Sequence, residues 1–492
     1  MKMERGDEAP FSGRQNPCFI RVSSAAEQHF LIEASRRASR RTFLRRAGLG
    51  GLGALLSTWP GRGLLLGAAP QPLAVRQTTR ATPRPDLLSA DSPKGIEVFQ
   101  LTTEPNVPSS HVYMEAPVFT PDSKRLVLHR SAHAHGSSKA DPEHRYLLCD
   151  LANGGALHPL TAELGATGPA VSPDGKYLYY FVNETELGGG RLTLKRVKLD
   201  GAARETILVV DSPLPGTKYR PSRIYPLSTI SSDGKRVAIS AFLGDGRTEG
   251  APFGLMVFDV QEATVNLILQ GPTWCNLHPQ YCRSRAPDAR HDILVQENHG
   301  NVCTPTGEVQ KLTSGEGADI HVVRDDGSDF RNLPWGRDGN EFCQGHQCWR
   351  GRSTWAITST GTQRPREDQL IEGLPAPHAG HVGRQTPGAC RNDISRAFPQ
   401  PHFYHFATDI AGQRLISDAG PLGKDARLFL AELGQPGKDA AKKFTFLLRP
   451  KSSCVKPAHI HPFLSPDGSF GFFNSDESGL LQAYMIRGLR TI

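Results

Sequence analysis

Four histidines occupy one phase of a repeat, and that shared phase is where the sequence concentrates its chemistry. Counting back seven residues from the last position of a recurring turn, His461 opens HPFLSPDG, His405 opens HFATDIAG and His346 opens HQCWRGRS. His278 opens HPQYCRSR when the fourth turn is set at Ser284-Arg285, although Ala286-Pro287-Asp288 offers a second turn four residues on. The first three units carry Ala116, Gly168 and Leu227 at this phase. Independent structural uses of histidine need not share a register, so the four point to convergence at one place. Converging imidazoles with an amide oxygen suit a borderline divalent ion such as Mn, Zn, Fe or Ni. No carboxylate or thiolate is evident in the set. Gln400, His402, His459 and His299 lie close by along the chain as further donors.

The repeat that sets this phase is made of turns. Thr120-Pro121-Asp122-Ser123, Ser172-Pro173-Asp174-Gly175, Ser231-Ser232-Asp233-Gly234 and Ser465-Pro466-Asp467-Gly468 each precede an apolar or alternating run. Pro presets φ and Gly accepts positive φ, so Pro-Asp-Gly is strong turn chemistry. Weaker copies at 286–289, 350–354 and 410–412 fill the gaps. Seven turns with several short strands each, and no long helical period, predict an all-β, seven-bladed β-propeller over residues 96–492. A pair of β-sandwiches is the other architecture with this punctuation. Inserts at 133–144 and 363–390 exceed what a blade requires and are expected on a rim, where function concentrates.

Charge directs attention away from nucleic acid. The 492-residue chain carries 57 Lys+Arg against 49 Asp+Glu, a net +8. Residues 1–74 hold 11 against 5 of these, which leaves 46 against 44 for the rest. A domain at +2 is no general polyanion binder. In the leader, Ser39-Arg40-Arg41-Thr42-Phe43-Leu44-Arg45 precedes the weakly apolar stretch Ala47–Thr58, a pattern resembling a twin-arginine export signal. Cleavage after Ala69 or Ala74 followed by a polar linker over 75–95 is expected. The mature chain would then be periplasmic or secreted, with the export machinery as a transient partner. No other apolar run nears the ~18 residues of a membrane span. Eight of the nine cysteines lie beyond residue 74, an even count compatible with disulfides in an oxidising compartment. Bridges between Cys343 and Cys348, and between Cys275 and Cys282, would brace His346 and His278.

At these residues the chain resembles the oligogalacturonate lyases, polysaccharide lyases built as seven-bladed propellers. The resemblance spans roughly 96–490 and rests on Asn276–Tyr281, Gly345–Trp349, Gln400–Phe406 and His459–Asp476. It implies that His278 is the base and that His346, Gln400, His402 and His405 hold a metal, typically Mn2+. An arginine near the base is also implied, with Arg220 and Arg223 in YRPSRIYP as candidates. Gln347 stands where the family usually has an acid, and Gln-x-His-x-x-His is not the family's spacing. The implied activity is β-elimination on an acidic oligosaccharide. No glycosidase-like carboxylate pair stands out, so elimination fits better than hydrolysis. The alternative is a non-catalytic binding propeller like the periplasmic Tol-associated ones, which share the SPDG repeats. A propeller-gated serine peptidase lacks its G-x-S-x-G elbow here.

Overall fold

A computed structural model describes residues 80–133, 136–137, 141, 143–185, 187, 189–313, 317–335, 342–361, 368–374, 390–398, 402–421 and 423–492. The leader, the linker up to residue 79, most of the 363–390 insert and Gln400 lie outside the described residues. So does the disputed cleavage site.

Each SPDG turn closes on itself through its own polar atoms. In the second unit the Ser172 hydroxyl donates to Asp174 Oδ1 at 2.6 Å, and Gly175 N donates to the Ser172 carbonyl at 2.8 Å. The Asp174 carboxylate also accepts from Lys176 N at 3.1 Å, which starts the next strand. Gly175 sits at φ +70, and a Cβ there would press on Pro121 of the preceding turn. The same Ser–Asp clasp recurs at Ser231/Asp233 and Ser465/Asp467. Local side-chain acceptors of this kind favour turns over continued strand.

Between the turns the β-branched and aromatic runs form seven antiparallel sheets of four or five strands, with two further two-stranded ribbons among the described residues. Their first strands start the blades at Ser109–His111, Ala166–Val171, Arg223–Ile230, Gln280–Tyr281, Phe342–Trp349, Phe403–Thr408 and Phe463–Leu464. Adjacent first strands pack against one another around the axis, and the later strands of each blade lie progressively outward. The architecture is a seven-bladed β-propeller. The space between blades is filled by buried apolar side chains such as Phe181 and Phe258, whose rings meet edge-on at 5.0 Å.

The ring is closed by an N-terminal strand. Glu97–Gln100 pairs antiparallel with Gln482–Arg487 and becomes the fourth strand of blade 7, and Thr82–Pro83 adds a fifth. Part of the stretch assigned to the linker is therefore ordered β-structure. In blade 4 the connection between the first two strands runs from 282 to 291, accommodating the Ala-Pro-Asp turn as extra length. His278 consequently keeps its place at the entry to an inner strand.

The expected disulfides are not formed. Cys149, Cys275, Cys282, Cys303, Cys343, Cys348 and Cys454 are free thiols. Cys343 and Cys348 lie on one strand, Phe342–Trp349. Five residues of strand span roughly 16 Å, and a disulfide needs its Cα atoms within about 7 Å. Cys275 has Cys303, not Cys282, as its thiol neighbour. Among the described residues no helix is long and apolar enough to cross a membrane.

Candidate metal and acid–base site at the channel mouth

Irregularities at one end of the inner strands turn side chains toward the axis. The pairing register shifts between Cys343 and Gln347, between Phe403 and Phe406, and between Ile224 and Ser228. His346, His405 and Tyr225 lie inside these three breaks. A bulged residue leaves the strict in–out alternation and re-aims its neighbours. The blade 5 break is tight: Gly345 has φ +80, and a Cβ there would collide with the Gln296 amide. In blades 4 and 7 the entry is made differently. His278 and His461, each followed by a proline, adopt left-handed backbone at φ +49 and +44. Such conformations are uncommon outside glycine, and one costs on the order of 1–3 kcal/mol. They mark positions where the surrounding structure overrides local preference.

The imidazoles meet. The His405 ring centroid lies 4.5 Å from His346, 4.5 Å from His461 and 5.3 Å from His459. One ligand atom each from His405, His459 and His461 falls within 4.8 Å of the others. Asp418, on the neighbouring strand Arg414–Ala419, grips His405 twice. Its Oδ1 accepts from the His405 backbone N at 2.7 Å, and its Oδ2 lies 2.8 Å from His405 Nδ1. With Nδ1–H committed to that carboxylate, Nε2 keeps its lone pair for an ion, the carboxylate–histidine–metal arrangement. Burial, reinforced by the nearby His405, pushes His459 down to about 4, so it is a neutral ligand at ordinary pH. The three donors therefore fit a divalent transition ion.

Beside this cluster stands an acid–base chain. His278, 4% exposed, has Nδ1 2.9 Å from Glu115 Oε2 and Nε2 2.9 Å from the Tyr225 hydroxyl. Tyr113 bridges the two groups, with its ring 5.1 Å from His278 and 4.4 Å from His461. Burial raises the Glu115 carboxyl, opposed by the charge of His278. Burial, with Glu115 adding to it, pushes the Tyr113 and Tyr225 phenols well above their ordinary value, so both stay protonated. An ionised Glu115 accepts a hydrogen bond from His278 Nδ1–H, leaving Nε2 as acceptor of the Tyr225 O–H. Tyr225 is half-buried and ends the chain of hydrogen bonds. On the axis, a cavity of about 200 Å3 is lined by Glu115, Gln280, Trp349, Arg283 and Arg352, among others.

Of the residues singled out in the sequence, His346 and His405 are in contact, and His278 reaches the cluster through Tyr113. His402 is half-buried, and its carbonyl accepts from Gly420 N at 3.0 Å. Its ring is not among the imidazoles in contact. Arg223 is exposed at the start of the inner strand that carries Tyr225, and the Arg220 guanidinium packs beside Gly189. Among the described residues neither guanidinium forms an ion pair. Gln347 is fully buried, and its carbonyl accepts from Gln280 Nε2 at 2.7 Å. Sequence reasoning missed Glu115, Asp418, Tyr113 and Tyr225, and placed His461 in register without assigning it to the metal. Glu115 stands one residue before Ala116, the blade 1 position of the shared phase, and that adjacency was the available signal.

No protein-family model and no curated protein sequence matches the chain. Solved structures do. An oligogalacturonate lyase in complex with manganese superposes with a TM-score of 0.60 at 18% identity, over 85% of this chain and 99% of that one. The fold is shared with oligogalacturonate lyases. A second one, from Vibrio parahaemolyticus, gives 0.60 at 16% identity over 84% of this chain and 98% of its own. TolB from Acinetobacter baumannii gives 0.33 at 12% identity, over 74% and 80%.

Proposed function

We propose that the chain is a metal-dependent lyase that cleaves oligogalacturonides, or a related uronate oligosaccharide, by β-elimination. One observation carries the reading: a three-imidazole donor set stands next to a buried Tyr225–His278–Glu115 chain. The fold shared with a manganese-bound oligogalacturonate lyase supports it. His405, His459 and His461 would hold the ion, with His346 against them, and Mn2+ is the first choice by that likeness. Bound there, the ion would supply Lewis-acid neutralisation of the substrate carboxylate.

The chain's own groups do the proton work. The proton α to the C6 carboxylate leaves to the Tyr225–His278 unit, either onto His278 Nε2 once Tyr225 yields its place or through the phenol oxygen. The C–H electron pair forms the C4–C5 double bond, and the glycosidic oxygen departs from C4 with its electrons and takes the proton back from the Tyr225–His278 unit. Glu115 fixes the His278 tautomer and stabilises the imidazolium as it forms. Arg223, exposed at the start of the strand that carries Tyr225, would pair with a second substrate carboxylate. The twin-arginine-like leader fits action outside the cytoplasm on an acidic oligosaccharide.

The test is metal analysis of the purified chain together with an ultraviolet assay for unsaturated product across a uronate panel. Bound metal and new absorbance are expected. Their joint absence overturns the reading in favour of a binding propeller. His278→Ala should lower turnover by about 10^2- to 10^4-fold with metal content unchanged. His346→Ala should lose metal, and normal activity in both variants would return these histidines to structural duty.

A further inference from the structure

A second histidine cluster lies within blade 4, outside the channel-mouth set. Strand Asp292–Glu297 pairs with Asp319–Arg324, and Glu297 faces Asp319 directly across the ladder. His299 follows the first of these strands, and its Nε2 lies 3.1 Å from Glu297 Oε2 and 3.1 Å from Asp319 Oδ2. His321, two residues beyond Asp319, places its Nε2 3.2 Å from the same Glu297 oxygen. The excursion between the strands, residues 298–318, carries the small hairpin Val302–Cys303 with Val309–Lys311. Glu297, His299 and Asp319 each offer one ligand atom, the three within 4.8 Å of one another at the base of that hairpin, and His321 stands beside the Glu297 oxygen.

Proton bookkeeping does not satisfy them. His321 is 4% exposed, and its Nδ1 lies 2.8 Å from Asn332 Oδ1, an atom that only accepts. Nδ1 therefore carries a proton, and in the neutral ring Nε2 is a bare lone pair facing a carboxylate. Nε2 makes no hydrogen bond to Glu297 despite the short distance. His299 Nε2 has one proton at most for two carboxylates. A cation removes both conflicts. In a tetrahedral site with bonds of about 2.0–2.1 Å, ligand atoms stand about 3.3 Å apart, close to the 3.1 Å that separates His299 Nε2 from each of the two carboxylates. Trp274 and Phe330 flank the His321 ring at 5.8 and 4.7 Å and shield that side from water.

We propose that Glu297, His299 and Asp319 bind a divalent transition-metal ion, Zn2+ by its tetrahedral preference, with His321 beside Glu297 as the fourth donor drawn in on binding, as a clamp at the base of the hairpin. Two carboxylates balance the ion's charge, so it is a structural site. It is independent of the lyase reading.

The test strips the full chain with chelator and titrates it with Zn2+, and separately with Co2+ to read the d–d absorption of a tetrahedral site. The wild-type chain should take two equivalents, and a His299→Ala/His321→Ala chain one, without the Co2+ absorption of the carboxylate-bearing blade 4 site. His405→Ala should also take one and keep that spectrum, which separates this site from the channel mouth. If the double variant does not fold, Glu297→Gln serves, with an expected affinity loss of at least tenfold. Equal stoichiometry and an unchanged Co2+ spectrum in wild type and blade 4 variants mean an ion-pair network only, and overturn the proposal.

Discussion

The two histidine clusters are built from similar parts and differ in where they keep their carboxylates. At the channel mouth Asp418 stands behind His405, bonded to Nδ1 and the backbone, and the converging donors are imidazoles. In blade 4 the carboxylates of Glu297 and Asp319 are themselves among the converging atoms. An ion held by neutral imidazoles keeps its full charge and an open position for an anion, whereas two carboxylates cancel it. At 4 Å a unit charge pair is worth about 4 kcal/mol at an effective dielectric of 20. A domain near neutrality can thus attract an acidic sugar at one point. The clusters also differ in origin: the mouth draws on blades 5, 6 and 7, and the clamp on one blade.

Removing one histidine from each cluster should separate the two most strongly. His405→Ala should abolish uronate cleavage, by about 10^3-fold or more, because the carboxylate-binding charge goes with the ion. His321→Ala should leave kcat within about threefold, since the blade 4 ion touches no substrate. A comparable loss from both variants would mean that the second cluster serves the reaction and that the charge argument fails.

Asp418→Asn tests the placement of the carboxylate with a smaller effect. The amide can still accept from the His405 backbone N but no longer stabilises Nδ1–H as an anion. Outer-shell partners of this kind are worth about 10- to 100-fold in metal affinity. Calorimetry should show that weakening at the channel mouth and none in blade 4. An unchanged affinity would mean that Asp418 positions His405 and does nothing for the ion.

Much of the ring was legible because turn residues are local. Ser172, Pro173, Asp174 and Gly175 determine their own conformation, so blade number and the shared phase of His278, His346, His405 and His461 follow from spacing. The partners were illegible because they meet across the ring. Glu115 and His278 are 163 residues apart, and no pattern of either segment refers to the other. Tyr225 enters through a break in which four residues of one strand span two of its partner, and this hides it behind Leu227 at the expected phase. His299 illustrates the opposite error. It lies near His278 in sequence, but strand pairing carries it to Asp319 instead.

The smallest effect should come from loosening the closure of the ring. Arg84 Nη2 donates to Glu477 Oε2 at 2.8 Å, and Tyr484 also donates to that carboxylate, tying the N-terminal segment to blade 7. The Arg84 guanidinium holds Glu477 below its ordinary value near 4.5. A folded-state pKa lowered in this way contributes stability that is present above the unfolded value and is lost as pH falls through the folded one. Below about pH 4.5 the closure should weaken progressively, and Arg84→Met should reduce the pH dependence, leaving the part that Tyr484 supplies, along with a loss of about 1–3 kcal/mol. Measured at neutral pH, Arg84→Met should loosen channel-mouth metal binding by a few-fold, because His405 on blade 6 and His459 and His461 on blade 7 must be held in register by a closed ring. The blade 4 cluster rests on one pair of adjacent strands and should bind as before. Equal weakening of both sites would show that blade 4 depends on the closed ring as much as the mouth does.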